Sequence, residues 1–190
     1  MKVIAINGSP RKDGNTAILL KTALKEIHSE GIDTEFLHLG GHKLHGCMAC
    51  YKCKENLDRR CNIKSDVIND FIVKMIEADG MLIGSPTYFC NVSTEIKALI
   101  DRAGVVARAN DSMLKRKVGA AVVAARRAGS TQVFDAINQF FTANQVIIPG
   151  ANYWNMGIGG AKGDVEKDEE GLETHRILGQ NMAWLLKKIH

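Results

Sequence analysis

Short apolar runs alternate along the chain with longer stretches in which apolar residues recur at helical spacing. Lys2 to Ile6 reads as a first strand, and Asn15 to Ser29 as a helix with Ile18, Leu19, Ala23, Leu24 and Ile27 along one face. A second strand is expected over Asp33 to Leu39. Ser65 is placed to cap a helix running through Glu77, and Gly80 to Ile83 is a third strand of the fully buried kind. Ser93 is placed to cap the next helix. Val118 to Ala124 gives a fourth strand, Thr131 to Asn144 a helix, Gln145 to Ile148 a fifth strand, and Glu170 to Ile189 a closing helix. Strands that alternate with helices of about 10–15 residues specify βαβ units and a parallel sheet, because the crossover must be long enough to return the chain. The expected architecture is therefore α/β, a doubly wound five-stranded parallel sheet with helices on both faces. In open sheets of this class ligands bind outside the carboxyl ends of the strands, where strand order reverses. The loops that follow the strands are where chemistry belongs.

With 190 residues the chain suits one domain, residues 1–190, carrying a cysteine-rich insertion at about 40–64. Its apolar share of 45% and charged share of 24% match ordinary globular proteins, which excludes a disordered, collagen-like or coiled-coil chain. The net charge of +4 arises from basic pairs scattered along the chain, Arg59-Arg60, Arg126-Arg127 and Lys187-Lys188, so nucleic acid is not an expected partner. The apolar run before Asn7 is too short for a secretory segment, and no stretch approaches the roughly 18 apolar residues of a membrane span. A cytoplasmic protein without membrane contact is expected. Four of the five cysteines crowd between Cys47 and Cys61, a pattern that favours metal over disulfides.

The loop after the first strand, Asn7 to Thr16, runs straight into the first helix and suits a phosphate. Its glycines allow close backbone approach, Ser9, Asn15 and Thr16 offer hydroxyl and amide groups, and Arg11 offers charge. The helix amino terminus adds unpaired N–H groups and a positive dipole end. A plain helix cap would need one such residue, whereas this loop has several. Neither G-x-G-x-x-G nor G-x-x-x-x-G-K-[ST] is present there, so a dinucleotide fingerprint and a nucleoside triphosphate loop both fail on spacing. Gly157, Gly159, Gly160 and Gly163 follow no clear strand and are expected in an irregular loop.

Gly8-Ser-Pro-Arg11 with Gly14-Asn-Thr16, then Gly84-Ser-Pro-Thr-Tyr-Phe89 and Lys97-Ala-Leu-Ile-Asp-Arg102, resemble the NADPH-dependent FMN reductase family, and more narrowly its iron-sulfur flavoprotein branch. The resemblance implies a flavodoxin-like sheet of order 2-1-3-4-5 and FMN as the cofactor. It assigns Pro86, Thr87, Tyr88, Phe89 and Asn91 to the isoalloxazine ring and ribityl chain. It also directs attention to Ala125, Arg126, Arg127 and Gly129 after the fourth strand, although relatives usually carry more glycine there. Arg126 and Arg127 would stabilise the negative charge of a reduced flavin or attract an anionic partner; the alternative is two solvated arginines. Cys90 stands where many relatives have glycine. Lys97, Asp101 and Arg102 are expected to pack or pair structurally. No general acid or base is required, because the flavin performs the chemistry.

Cys47, Cys50, Cys53 and Cys61 form C-x2-C-x2-C-x7-C. Three thiols at successive x2 spacing let a tight loop wrap one inorganic cluster, with a fourth ligand arriving after a short excursion, and a [4Fe-4S] cubane fits best. Zinc sites generally use two separated pairs. Free or redox-active thiols are the other alternative. His42 and His45 read as loop residues beside a complete ligand set.

The expected function is an FMN-dependent electron transfer between a reduced donor and an acceptor, through FMN and the cluster. An NAD(P)H-dependent reductase of flavin, quinone or nitro compounds without a cluster is the alternative. A non-enzymatic flavodoxin-like carrier is a second one, which the basic charge disfavours. The expected partners are a small-molecule or protein redox partner and further copies of the chain, as a dimer or tetramer. In that oligomer the cysteine loop of one chain would approach the flavin of another. Tyr153, Trp154 and Met156, within Gly150 to Asp168, are candidate contacts, unless that segment folds over its own flavin.

Overall fold

The computed structural model describes residues 1–190. Five parallel strands form one sheet in the order β2-β1-β3-β4-β5: β1 Lys2–Asn7, β2 Asp33–His38, β3 Gly80–Pro86, β4 Val118–Ala125 and β5 Met156–Ile158. Helices α1 Asn15–Ser29, α2 Lys52–Asn56, α3 Ile68–Glu77, α4 Thr94–Ala109, α5 Ser130–Ala143 and α6 Glu169–Ile189 surround it. No helix is long and apolar enough to cross a membrane.

The strict alternation of strand side chains divides the core in two. Ile4, Ile6, Met81, Ile83, Ala121 and Val123 pack with α3, α4 and α5. Val3, Ala5, Leu82, Ala120 and Val122 point the other way, into the layer of α1 and α6. Every residue of β4 is buried, because helices cover both of its faces. Strand order reverses between β1 and β3, which sets the loops after those strands side by side.

Three local expectations change. Gln145 to Ile148 is not a strand: only Ile147 pairs there, donating to the Lys117 carbonyl at 2.8 Å and accepting from Gly119 N–H at 2.9 Å. Pro149, which lacks an N–H, follows, and the chain leaves the sheet. Asn155 restores contact, its side chain donating to the Ala121 carbonyl at 3.1 Å, and the true fifth strand is Met156–Ile158. Gly157 therefore lies inside a strand, where a Cβ would meet Leu19 and Val165 at 2.7–2.8 Å, and Gly159 and Gly160 follow that strand. Ser65 does not cap α3. The cap position is Val67, without a side-chain cap, and Asp66 just before it accepts from Ile68 N–H at 3.2 Å.

Candidate functional site

The phosphate loop is built by side chains that fold back on it. Asn7 at the end of β1 accepts from Ser9 N–H at 3.0 Å, and the Ser9 hydroxyl accepts from Arg11 N–H at 3.2 Å. Gly8 N–H donates to the Gly84 carbonyl at 2.9 Å, joining the loops after β1 and β3. Helix α1 then opens with Gly14 at its N-cap and no side-chain cap. Its first-turn N–H groups have no carbonyl of their own helix to meet, so the terminus is ready for an anion.

Four loops converge on one cavity of about 150 Å³. Ser9, Arg11, Asn15 and Thr16 come from the first loop, and Pro86, Thr87 and Tyr88 from the end of β3. Arg126 comes from the loop after β4, and Gly159 and Gly160 from the loop after β5. The lining carries two arginines and no carboxylate. Thr87 Oγ1 is buried there without a hydrogen-bond partner, although its backbone N–H donates to the Ala124 carbonyl at 2.8 Å. An uncapped helix terminus, an orphaned hydroxyl and uncompensated positive charge fit a phosphate ester with a polar chain.

The remaining predicted residues take other positions. Asn15 is a tie as well as a lining residue: its carboxamide donates to the carbonyls of Gly159 at 3.0 Å and Ala161 at 2.9 Å, and accepts from Gly163 N–H at 2.9 Å. Gly159 and Gly160, expected only in an irregular loop, line the cavity; the density of glycines there is the signal the sequence offers. Tyr88 and Asn91 exchange backbone hydrogen bonds of 3.0 Å around a tight turn whose central residues, Phe89 and Cys90, are left-handed at φ 46° and 58°. Two consecutive non-glycine residues there cost about 1–3 kcal/mol each, a strain that concentrates at ligand clamps. The Phe89 ring stands fully in solvent, outside the cavity. Asn91 and Arg127 are exposed and do not line the cavity, and Ala125 is buried, accepting from Gly159 N–H at 2.9 Å. Gly129, at φ 84°, closes against the turn: a Cβ on it would lie 2.7 Å from Cys90 Sγ.

Cys47, Cys50, Cys53 and Cys61 line a second cavity, of about 120 Å³, walled on the α4 side by Arg102, Val105 and Val106. Cys53, on α2, and Cys61 are buried, and Cys47 and Cys50 are exposed. The loop is bent sharply, with Ala49, Tyr51, Leu57 and Arg59 all left-handed at φ 49–61°. Such a path persists only when its surroundings hold it. Asn69 receives Cys61 N–H at 2.8 Å and donates to the Cys61 and Ile63 carbonyls at 3.0 Å. Asn110 accepts from Arg59 N–H at 2.9 Å and donates to the Cys53 carbonyl at 3.5 Å. Burial would push the Asp66 carboxyl up, but hydrogen bonds from Arg102 and from the His45 and Ile68 N–H groups hold it below the usual carboxylate range. Burial, reinforced by the neighbouring cysteines, pushes the Cys53 thiol up.

No three Cys, His, Asp or Glu side chains converge closely enough to share one metal ion. A lone zinc, with Zn–S near 2.3 Å, needs that convergence. Four thiols that line one cavity are the donor set that an iron–sulfur cluster takes.

A parallel sheet of this order, with a phosphate-ready first loop and strained loops beside it, defines a flavodoxin-like flavin-dependent oxidoreductase. The sequence model of the NADPH-dependent FMN reductase family matches residues 1–161, and the chain belongs to that family and to its iron-sulfur flavoproteins. It is 42% identical over 196 residues to an iron-sulfur flavoprotein of Methanocaldococcus jannaschii, covering 100% of this chain and 99% of that one. Identity to the iron-sulfur flavoprotein of Methanosarcina thermophila is 31% over 191 residues, covering 100% and 97%. Among solved structures, RosB with a bound 8-demethyl-8-formylriboflavin-5'-phosphate superposes with a TM-score of 0.74 at 17% identity, over 100% of this chain and 80% of that one. A WrbA-like flavodoxin from Agrobacterium tumefaciens gives 0.69 at 14% identity, over 98% and 97%. At those identities the structures establish the shared fold.

Proposed function

We propose that this flavoenzyme transfers electrons between a reduced donor and an acceptor through FMN and a [4Fe-4S] cluster ligated by Cys47, Cys50, Cys53 and Cys61. The observation that carries the reading is the gathering of all four cysteines around one cavity in a chain of this family. When bound, FMN supplies one- and two-electron chemistry and the cluster one-electron chemistry. The chain supplies position and electrostatics. Arg11, the Ser9 and Thr16 hydroxyls and the α1 terminus hold the phosphate, the free Thr87 hydroxyl hydrogen-bonds the chain beyond it, and Arg126 balances negative charge. Anaerobic reconstitution should give about four iron and four acid-labile sulfide per chain. Reproducible absence of both would reject the cluster.

The exposure of Cys47 and Cys50 favours a second reading, an NAD(P)H-dependent reductase of flavins, quinones or nitro compounds whose cysteines stay free. Steady-state NAD(P)H oxidation by iron-free protein, equal to that of reconstituted protein with the same acceptor, would establish it.

The redox partner in the leading reading is a small molecule or an acidic protein met in the cytoplasm. Residues 40–64 hold six Lys and Arg against two Asp and Glu, while the remainder of the chain is balanced, so the excess charge sits around the cysteines. The working unit is a homo-oligomer, a dimer or tetramer, that brings the cysteine loop of one chain to the flavin of another. The insertion follows the edge strand β2, whereas the ring-side loops follow β3 and β4, and Tyr153 and Trp154 stand half exposed with ring centroids 4.9 Å apart. Sedimentation at catalytic concentration should show no monomer; a fully active monomer would defeat the arrangement.

A further inference from the structure

Arg102 is the largest side chain in the chain to be buried without exposure, and its position on α4 faces the cysteine cavity. Taking a guanidinium out of water costs several kcal/mol unless its donors are matched. Here they are matched almost entirely by the cysteine segment. Nη1 donates to Asp66 Oδ2 at 2.5 Å and to the His45 carbonyl at 3.1 Å, and Nη2 donates to the Ile63 carbonyl at 3.0 Å. Nε donates to Cys61 Sγ at 3.2 Å.

His45 and Ile63 stand two residues outside the first and last cysteines, so one planar fork gathers both ends of the ligand segment and one ligand sulfur. Charge neutralisation alone does not explain this. The Asp66 pair would satisfy the cation, and a lysine would serve it; only a guanidinium presents a separate Nε–H to the sulfur while its two Nη groups hold the flanking backbone. Cys47, Cys50 and Cys53 receive no side-chain hydrogen bond, so the four sulfurs are electrostatically unequal.

We propose that Arg102 is a positioning residue for the cluster: it fixes Cys61 on the α4 side of the cavity, and its Nε–H to Sγ bond raises the cluster's reduction potential. The inference rests on the assignment of the cluster to the four cysteines. Hydrogen bonds to ligand sulfurs and nearby positive charge favour the more negative, reduced state, and so move the potential upward.

Two variants separate this role from simple structural support. Arg102→Lys keeps a cation beside Asp66 and removes the fork. The pair Arg102→Met with Asp66→Leu removes both buried charges, so that neither is left uncompensated, a substitution that buried ion pairs often tolerate. Each would be reconstituted anaerobically beside the wild type. Iron, sulfide and FMN content, cooperative unfolding and the midpoint potential from an electron paramagnetic resonance redox titration would then be compared. Both variants should retain FMN and titrate at a lower potential than the wild type, the double variant furthest. Loss of iron from a variant that still unfolds cooperatively with FMN bound supports the same role. Wild-type iron content and wild-type potential in both variants would overturn it. A wild type without iron would overturn the cluster assignment itself, an outcome seen before any variant is compared. If the double variant does not fold, the lysine variant decides alone.

Discussion

Replacing Arg11 and Thr16 together by alanine is expected to weaken FMN retention by about 2–4 kcal/mol, roughly 30-fold to 1,000-fold in dissociation constant. Arg11, an exposed residue of the cavity lining, would contribute a charge-assisted hydrogen bond to the phosphate, whereas Thr16 is 2% exposed and its hydroxyl belongs to the first turn of α1. Their loss leaves the helix terminus itself in place, because Gly14 caps it without a side chain. The effect should therefore be partial and confined to the phosphate. Riboflavin, which lacks that group, provides the control: its affinity should be nearly the same for wild type and double variant. Fluorescence titration of both flavins would measure the two differences. Equal FMN affinities would remove the phosphate from this loop, and an equal loss for riboflavin would mean that the substitutions disturb the cavity as a whole.

The legible part of this molecule is its local part. β1, α1, β3 and β4 declare themselves through apolar runs and spacing, and the first loop carries its chemistry within a few residues, so most of the cavity lining follows from Ser9, Arg11, Thr16, Pro86, Thr87 and Tyr88. What the residues conceal is long-range use of polar side chains. Asn15 reads equally well as a phosphate donor and as the tie it makes to Gly159, Ala161 and Gly163, because nothing local says which distant backbone it will meet. Arg102, Asp66, Asn69 and Asn110 likewise look like ordinary polar residues at or beside helices, yet they hold the cysteine loop in a left-handed path that its own composition would not choose. The fifth strand is hidden for a different reason. Met156, Gly157 and Ile158 are too few to show alternation, while the stronger apolar signal of Val146, Ile147 and Ile148 is stopped by Pro149 after a single pairing. Tertiary contact decides between segments of similar propensity.

Acidification between about pH 6.5 and pH 4 is expected to remove about 3 kcal/mol of stability through His175 alone. The residue is fully buried on α6, and burial lowers its pKa to about 4, against the opposing pull of the Gly171 carbonyl and Asp168. Nδ1 lies 2.6 Å from that carbonyl, to which the neutral ring donates its single proton. Nε2 is then an acceptor, buried without a partner. Protonation would place a charge and a second, unmatched N–H in the buried interior. The unfolded chain binds this proton near pH 6.5 and the folded chain only near pH 4. The contribution is therefore fully present above the unfolded value and falls as pH drops toward the folded one, with a slope approaching 1.4 kcal/mol per unit. His175→Leu should lose the hydrogen bond to Gly171 at every pH yet omit this slope, so the wild-type and variant curves should converge on acidification. Denaturant unfolding of both proteins across the interval would measure it, with the carboxylates common to the two cancelling in the difference. Curves that stay parallel from neutral pH down to 4 would mean that His175 takes up its proton in the folded state as readily as in the unfolded chain.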